Sequence, residues 1–261
     1  MTLVHGSDHE AAPGASAGWI DVERLYKSFE RPVLRGCRLR AERAQVLGLV
    51  GPPGAGKSVL LHILAGLMEA DAGSVSVCQR QMVGVSATER RAAQANIGMQ
   101  FQRVALFEHL SVAENIAFPL WRRNDPVASI QKRVEQQLRA VGLQGCEKKM
   151  PKSLSGGQRR RVGIARAAVT RPRILLCDEP AAGLDPVTSS RIFALLAEQK
   201  RRNGSSVVVV SSDVRQLFPI CDKVAFLHEG RVLFQGSPAA LSSSHHPVIE
   251  EFLGATVGAS A

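Results

Sequence analysis

Apolar and polar positions along the chain predict a mixed α/β fold. The segments Trp19–Leu25 and Val33–Arg40 alternate in the manner of half-buried strands. Three continuous apolar runs, Gln45–Val50, Ile174–Glu179 and Ser206–Val210, are typical of parallel strands covered on both faces. Because strands and helical segments alternate after the first of these runs, we expect a mainly parallel sheet with an antiparallel part beside it.

Helical spacing of apolar residues marks several other segments. It is present in Val59–Leu64, Val112–Leu120, Ile130–Val141 and Thr188–Lys200. Strand signals are absent between about residues 103 and 155. We therefore predict an inserted helical subdomain in that region.

Shorter signals complete the element prediction. Val75–Val77 is a candidate strand, and Ile97–Gln102 is another that ends in a glutamine. Lys223–Leu227 and Arg231–Gln235 flank a His-Glu-Gly turn, which predicts a hairpin.

The pattern predicts one main domain over residues 19–240 with a tail on each side. Residues 1–18 are rich in Gly, Ala and Ser, which favours a disordered tail. Residues 241–261 are read as a polar tail in which Pro247–Leu253 forms one short helix.

Composition narrows the possible partners and compartment. The 261 residues are 45% hydrophobic, enough for a sizeable core, and the net charge is +10, which suits acidic partners such as nucleic acid or an anionic membrane surface. Aromatics make up only 5% and do not alternate with arginines as in single-strand binders. The five cysteines are isolated, which argues against a disulfide or zinc scaffold. No apolar run is long enough to span a bilayer and no leader is visible, so a cytoplasmic protein is expected.

The segment GPPGAGKS fits the phosphate-binding loop pattern and lies between a predicted strand and a predicted helix. Its glycines allow a tight curl in which successive N–H groups point at a polyphosphate, next to a helix N-terminus. Lys57 can neutralise the terminal phosphates, and the Ser58 hydroxyl can hold Mg²⁺. The predicted nucleotide-binding loop comprises Gly51, Pro52, Pro53, Gly54, Ala55, Gly56, Lys57 and Ser58.

Two further segments carry candidate chemistry. Ser155, Gly156, Gly157 and Gln158 precede a basic helix, and this start could bind an anion or be an ordinary glycine-containing cap. Asp178 and Glu179 end a buried strand, where a phosphate-loop enzyme places its Mg²⁺-associated carboxylate and a base for water. The alternative is that Asp178 and Glu179 are ordinary surface acids.

Phe29 lies on the connection between the first two predicted strands. Its ring could stack on a purine or belong to the core, and the residues alone leave both options open.

Taken in order, these motifs resemble the ATPase subunits of ATP-binding cassette (ABC) transporters, over about residues 20–236. The matching segments are the Walker A loop Gly51–Ser58, Gln102, the signature LSGGQ at Leu154–Gln158, Walker B with the catalytic glutamate at Ile174–Pro180, and the D-loop Ala182–Pro186. The resemblance implies a P-loop NTPase (RecA-like) core with an antiparallel β subdomain and an inserted α-helical subdomain.

The resemblance also implies the cofactors and roles. ATP and Mg²⁺ would be bound, with Gln102 joining Ser58 and Asp178 at the metal and Glu179 as the base. Phe29 matches the adenine-stacking aromatic, and Asp185 belongs to the D-loop at the nucleotide. Two copies would bind head to tail, so that the LSGGQ segment of one copy completes the site of the other.

One position departs from the family pattern. The segment Ser211–Asp213 stands where the family has a switch histidine, so that Ser212 replaces the imidazole. A serine hydroxyl is shorter and cannot carry a positive charge. Slow hydrolysis is therefore expected, and a nucleotide-gated regulatory cassette with weak hydrolysis is an alternative.

Stretches that extend beyond the catalytic motifs resemble the ATPases of Mla-type (Mce-associated) phospholipid transporters, among them Gly56–Leu67 and His246–Gly254. This implies a peripheral protein at the cytoplasmic face of the inner membrane, bound to a permease. A lipid-binding Mce-type protein and a small regulatory subunit would be further partners. Residues 104–119 would then receive a cytoplasmic helix of the permease.

Two rival functions stay open. An ABC ATPase for another cargo, such as an amino acid or a metal, would have the same motifs. A soluble cassette acting on nucleic acid or ribosomes is disfavoured, because such proteins usually carry two cassettes and this chain has one set of motifs. No nucleic-acid partner is expected.

Overall fold

The computed structural model describes residues 19–258, so the predicted tail over residues 1–18 lies outside the described residues. Ten strands and nine α-helices follow one another in these residues. The strands are β1 Ile20–Ser28, β2 Pro32–Ala41, β3 Val46–Val50, β4 Ala72–Val77, β5 Arg80–Gln81, β6 Ile97–Gln100, β7 Ile174–Asp178, β8 Ser206–Val210, β9 Lys223–His228 and β10 Arg231–Gly236. The helices are α1 Lys57–Leu64, α2 Ala87–Gln94, α3 Val112–Trp121, α4 Val127–Ala140, α5 Gly156–Ala168, α6 Pro186–Asn203, α7 Val214–Leu217, α8 Pro238–Ser242 and α9 Pro247–Gly258.

The strands form two sheets. A four-stranded antiparallel sheet has the order β2-β1-β4-β5, and a six-stranded sheet has the order β10-β9-β3-β8-β7-β6. Within the larger sheet β9, β3, β8, β7 and β6 are parallel, and β10 is antiparallel at one edge. The predicted α/β fold with a mainly parallel sheet and an antiparallel part is confirmed.

Three apolar clusters hold these layers together. One fills the space between the two sheets and includes the buried side of α1. The second covers the opposite face of the larger sheet with α6 and α9, and the third joins α3, α4 and α5. Burial on both faces explains why β3, β7 and β8 are apolar throughout.

The parallel arrangement decides where the candidate site lies. Leu49 of β3 and Asp178 of β7 are both in register with Val210 of β8, so the carboxyl ends of these three strands meet at one edge. The phosphate loop, Glu179 and Ser212 follow directly after those ends. Ligands of open α/β sheets bind at this edge.

Two strands differ from the sequence-based prediction, and helices α7 and α8 were not predicted. The strand predicted to end at Gln102 ends at Gln100, because the next residues turn away from β7 toward α5, where Arg160 donates to the carbonyl of Gln102. The short strand β5 was not predicted, since Arg80 and Gln81 are both exposed and have no apolar pattern. The domain boundaries at residues 18, 103, 155 and 240 stay predictions.

No helix within residues 19–258 has both the length and the apolar character that crossing a membrane requires.

Candidate active site

The phosphate loop connects β3 to α1 in a conformation that needs its glycines. Gly51, Gly54 and Gly56 have φ angles of 142°, 78° and 103°. A Cβ on Gly51 would lie 2.0 Å from the carbonyl oxygen of Leu227, so a side chain cannot fit there. The loop therefore curls tightly at the end of β3, as the motif predicted.

Helix α1 begins at Lys57 with donors that its own sequence does not satisfy. The cap residue Gly56 makes no side-chain hydrogen bond, and the first turn contains no acidic residue. The Lys57 ammonium donates to the carbonyls of Gly51 at 2.8 Å and Pro52 at 2.9 Å. Burial lowers the Lys57 pKa, and the nearby charges of Glu179 and Asp178 oppose that shift. Free amides and a cation at one helix start make a site for an anion.

Ser58 and Asp178 form the second part of the site. The Ser58 hydroxyl donates to the Asp178 carboxylate at 3.1 Å, although 120 residues separate them in sequence. Asp178 is only 3% exposed. Burial raises its pKa, while the bond from Ser58 and the charges of His62 and Lys57 act in the opposite direction. A hydroxyl and a carboxylate in contact are the hard oxygen ligands that Mg²⁺ takes when phosphates supply the rest, so these two residues fit that ion.

Glu179 follows β7 with its backbone in the left-handed region, at φ 44°. Its N–H donates to the carbonyl of Val210 at 3.0 Å. Its carboxylate accepts from both the backbone N–H and the hydroxyl of Ser212, at 3.2 and 3.3 Å. Burial raises the Glu179 pKa, and the bonds from Ser212 and the charge of Lys57 partly counter it. A carboxylate held in this way is suited to accept a proton.

Lys57, Glu179 and Ser212 line one cleft of about 980 Å³, whereas Ser58 and Asp178 are not part of its wall. The wall also contains other residues of the phosphate loop, the last residue of β9 and residues of helix α9. The predicted residues Gly51, Pro52, Pro53, Lys57, Glu179 and Ser212 are thus brought together.

The LSGGQ segment lies elsewhere. Ser155 caps α5 by accepting from the N–H of Gln158 at 3.2 Å, and the Gln158 side chain accepts from the N–H of Ser155 at 2.9 Å. Ser155, Gly156 and Gly157 line a separate cavity of about 330 Å³ together with Asp185. The two cavities share no lining residue. One chain therefore presents the two anion-binding candidates on different parts of its surface.

Asp185 caps helix α6 at the rim of this second cavity. Its carboxylate accepts from the N–H of Thr188 at 2.9 Å. Hydrogen bonds from the side chain and then the backbone of Thr188 lower the pKa of Asp185. The D-loop residue is therefore an ionised helix cap near the glycines of the signature.

Gln102 and Phe29 are outside the cleft walls. Gln102 is exposed on the loop after β6, and its described contact is the backbone carbonyl bonded to Arg160 at 2.6 Å. Phe29 is 58% exposed in the turn between β1 and β2, with the Lys27 ammonium 5.5 Å from its ring centroid. The core alternative for Phe29 is wrong, and stacking on a purine stays a prediction.

Some residues of this region were not singled out from the sequence. His228, Glu251 and Phe252 line the cleft, and Arg160 reaches three loops behind it. Arg160 was visible only as one of three consecutive arginines, which usually mark a solvated helix face. The tail helix α9 carried no signal that it would pack beside the phosphate loop.

Comparisons with known proteins agree with this geometry. The sequence profile of the family described as ABC transporter matches residues 34–182. The methionine import ATP-binding protein MetN of Caulobacter vibrioides is 38% identical over 217 residues, which cover 83% of this chain and 65% of that protein. The protein TRIGALACTOSYLDIACYLGLYCEROL 3 of Arabidopsis thaliana, a chloroplastic protein, is 35% identical over 251 residues, which cover 89% of this chain and 72% of that protein. The chain thus spans about two thirds of the length of these curated relatives.

Solved structures give the same result. The cbiO1 protein of Clostridium perfringens, part of the ABC transporter complex cbiONQ, has a TM-score of 0.81 at 30% identity over 88% of this chain and 92% of its own. The ATP-binding cassette MJ0796, in a dimeric post-hydrolysis state bound to ADP and Pi, has a TM-score of 0.77 at 27% identity over 84% and 98%.

The profile match covers more than half of the chain and includes the phosphate loop, the signature and both carboxylates. The prediction of an ABC ATPase that binds ATP is confirmed at this level. The chain belongs to the ABC transporter family, as one of its ATPase cassettes.

Proposed function

We propose that this cleft binds Mg-ATP and hydrolyses it with the residues predicted from the motifs. The observation that carries the proposal is that Lys57 and Glu179 line one cleft, while Asp178, which is bonded to Ser58, lies close enough to Lys57 to raise its pKa. Lys57 and the loop amides bind the phosphates, and Ser58 and Asp178 hold Mg²⁺, which neutralises charge on the phosphate oxygens. Glu179 accepts the proton of the water that attacks the γ-phosphorus, and the bond to the ADP oxygen breaks.

Ser212 takes a positioning role in this proposal. Its N–H and hydroxyl both bond the Glu179 carboxylate, which supports a base that is oriented without an imidazole. We expect Ser212→His to raise turnover about tenfold or more, because an imidazole can also bond the γ-phosphate. A native chain without turnover that Ser212→His restores would favour the alternative of a nucleotide-gated regulatory cassette.

The functional unit we propose is a head-to-tail pair of chains. Its support is the separation of the two cavities within one chain, together with the dimeric cassette among the similar structures. In such a pair Ser155, Gly156, Gly157 and Gln158 of one copy close over the phosphates held by the other. Asp185 belongs to the same contact, and Phe29 stacks on the adenine.

Mixing two inactive variants tests this pair. Lys57→Ala removes the phosphate cation, and Gly156→Asp places a negative charge at the signature, where a Cβ would meet only Leu184 at 3.7 Å. Each variant alone has two damaged sites per pair. A mixed pair has one damaged and one intact site, so random mixing should recover about a quarter of the native turnover.

Two results would contradict the pair. If the mixture is as inactive as its components, although both variants keep the native melting temperature, the sites are not shared. If Gly156→Asp alone retains native turnover, the signature does not contact the nucleotide.

We further propose that the pair drives a membrane permease from the cytoplasmic face of the inner membrane. The support is the family assignment and the exposed loop that contains Gln102. The rings of Phe107 and Phe118 contact each other at 4.5 Å between centroids, tilted by 45°, and the Arg166 guanidinium lies 5.6 Å from the Phe107 ring. These contacts hold the two rings in place for a docked helix. In this proposal Gln102 links the docked helix to the metal site, so that a movement of the helix would move a metal ligand.

For the cargo we propose methionine or a similar amino acid. The MetN relative is named for methionine import, whereas the narrower Mla-type assignment and its Mce-type and regulatory partners find no support in that relative. A lipid is the second candidate, because the name of the Arabidopsis relative contains that of a galactolipid.

Reconstitution with the permease that co-purifies with the chain distinguishes the two cargoes. ATP-dependent uptake of radiolabelled methionine into proteoliposomes, absent with Glu179→Gln, is the expected result. Transfer of fluorescent phospholipid with no methionine uptake would overturn the amino-acid proposal and leave the ATPase proposal intact.

A further inference from the structure

One arginine of helix α5 holds three loops of the site at once. Arg160 Nη1 donates to the carbonyl of Gln102 at 2.6 Å and to that of Glu179 at 3.1 Å. Its Nη2 donates to the carbonyl of Ala182 at 2.9 Å. These carbonyls belong to the loop after β6, the residue that follows β7, and the D-loop.

The chemistry of the guanidinium suits this role. Arginine is planar and carries five N–H donors in a fixed fork, so one side chain can bind several carbonyls in a defined relative position. Arg160 is half-buried, where solvent competes less for those bonds. A lysine has one ammonium on a flexible stem and cannot fix the three loops in this way.

Glu179 is the residue that needs such support. Its φ of 44° is costly for a residue with a side chain, and such conformations persist where the surroundings hold them. Its N–H is bound by Val210, and its carbonyl accepts from both Arg160 and the N–H of Ala182. Arg160 therefore helps to fix the peptide that aims the carboxylate into the cleft.

The same face of α5 holds the loop that leads away from Gln102. Arg166 donates to the carbonyls of Val104 at 2.7 Å and Ala105 at 2.9 Å. Between the two arginines, a Cβ on Gly163 would lie 2.5 Å from Val104 Cγ1, so only glycine lets the loop pack this closely. Residues 102–105 are thus tied to the helix at both ends.

We propose that Arg160 is a positioning residue for hydrolysis, which fixes the Glu179 peptide and couples it to the loop at Gln102. The inference rests on the proposed function of Glu179 as the base. Displacement of the Gln102 loop would move the guanidinium, and with it the carbonyls of Glu179 and Ala182. The position of this loop would in this way control the aim of the base.

The test compares Arg160→Gln with Arg123→Gln. Arg123 follows α3 and also donates to two carbonyls, of Ala95 and Thr170, which precede β6 and β7 at the edge of the sheet opposite Glu179. Both variants lose one charge and one guanidinium that binds backbone carbonyls of separate segments. We expect Arg160→Gln to lower kcat for Mg-ATP by about tenfold or more with KM unchanged, because a displaced base affects the chemical step. Arg123→Gln should stay within about twofold of native kcat.

The kcat of Arg160→Lys should lie between those of the native chain and of Arg160→Gln. Equal kcat in Arg160→Gln and Arg123→Gln would overturn the inference, while turnover by the native chain would leave the proposed function standing. If the native chain itself shows no turnover, the proposed function is contradicted, and with it the role of Arg160 in hydrolysis.

Hydrogen exchange tests the inference without turnover. The amides of Ala182 and Leu184 are bonded within the turn that Arg160 closes, to Glu179 and Ala181. They should exchange at least about tenfold faster in Arg160→Gln than in Arg123→Gln, because the turn opens locally. Equal protection in the two variants would overturn the coupling.

Discussion

Glu179 combines a left-handed backbone with a carboxylate in which one oxygen, Oε2, accepts two hydrogen bonds. Its φ of 44° is held by Val210, Ala182 and Arg160, and both bonds to Oε2 come from Ser212. Strain that neighbouring groups maintain is common at active sites, where it fixes a side chain before the substrate arrives. Ser212, which stands where the family has a histidine, thus contacts the Glu179 carboxylate directly.

The protonation of Glu179 should limit activity at low pH. Burial raises its pKa above the usual 4.5, and a proton acceptor must be ionised. Hydrolysis should therefore fall as the pH falls through the raised pKa, and level off above it. In a carbon-13 NMR titration of labelled glutamates, the signal missing from Glu179→Gln should titrate above those of exposed glutamates. A midpoint at or below theirs would contradict this.

The buried carboxylate of Asp178 should lower the stability of the fold when it is ionised. Its pKa is raised by burial, so stability falls as the pH rises through that pKa and the carboxylate ionises. Asp178→Asn keeps an acceptor for Ser58 and removes the buried charge. We expect it to raise the free energy of unfolding by about 1 kcal/mol at pH 7 without nucleotide, or about 2–4 °C in Tm.

Calorimetry at pH 7 and pH 5 tests this, with the exposed Glu30→Gln as control for the lost charge. The gain from Asp178→Asn should shrink at pH 5, where the native carboxylate is closer to neutral. If Asp178→Asn is less stable than the native chain at pH 7, the buried charge of Asp178 does not destabilise the fold.

Prediction from sequence succeeded at the residue scale where a motif dictates geometry. The glycines of the phosphate loop and the Ser58–Asp178 contact followed from the spacing of GPPGAGKS and the carboxylates. The role of Arg160 could not be predicted. Its partners are backbone carbonyls of three distant loops, and every residue has a backbone carbonyl, so the sequence gives no sign of these bonds.

At the scale of elements, periodicity identified the buried strands and most helices. Periodicity did not predict β5, because both residues of that strand are exposed and give no apolar pattern. It also extended β6 by two residues, because Phe101 and Gln102 continue the apolar-polar alternation although the chain there bonds to α5.

The approach of β6 to α5 depends on Gly98. A Cβ there would lie 2.2 Å from the carbonyl oxygen of Ala167 and 2.9 Å from Pro172 Cγ. Gly98→Ala should lower the free energy of unfolding by about 1–3 kcal/mol, because the backbone must move. Thermal unfolding measures this.

Gly254→Ala in α9 is the matched control, since nothing lies within 4 Å of a Cβ at that position. It should be neutral or stabilise the protein by up to about 1 kcal/mol, as alanine favours a helix. Equal losses in the two variants would show that the close approach at Gly98 is not the cause.

In the molecule as a whole, the two separate cavities support the proposal that one chain is half of a working unit. The family could be predicted from the order of motifs, because each motif has its own chemistry. The cargo could not, since in the proposed function another protein binds it and it would make no contact with the residues of the cassette.

ATP should control the association of two chains. Glu179→Gln should form dimers in Mg-ATP and monomers in ADP, because slow hydrolysis preserves the nucleotide that joins the phosphate loop to the partner's signature. Light scattering after gel filtration measures the mass. Adding Gly156→Asp should abolish the dimer, and a dimer that persists without nucleotide would contradict ATP control.

The most direct measurement is phosphate release from Mg-ATP by the native chain and by Glu179→Gln at the same concentration. We expect turnover in the native chain and a loss of about a hundredfold or more in the variant, with ATP binding retained. Equal rates in both would contradict the assignment of Glu179 as the base, and with it the proposed route of hydrolysis.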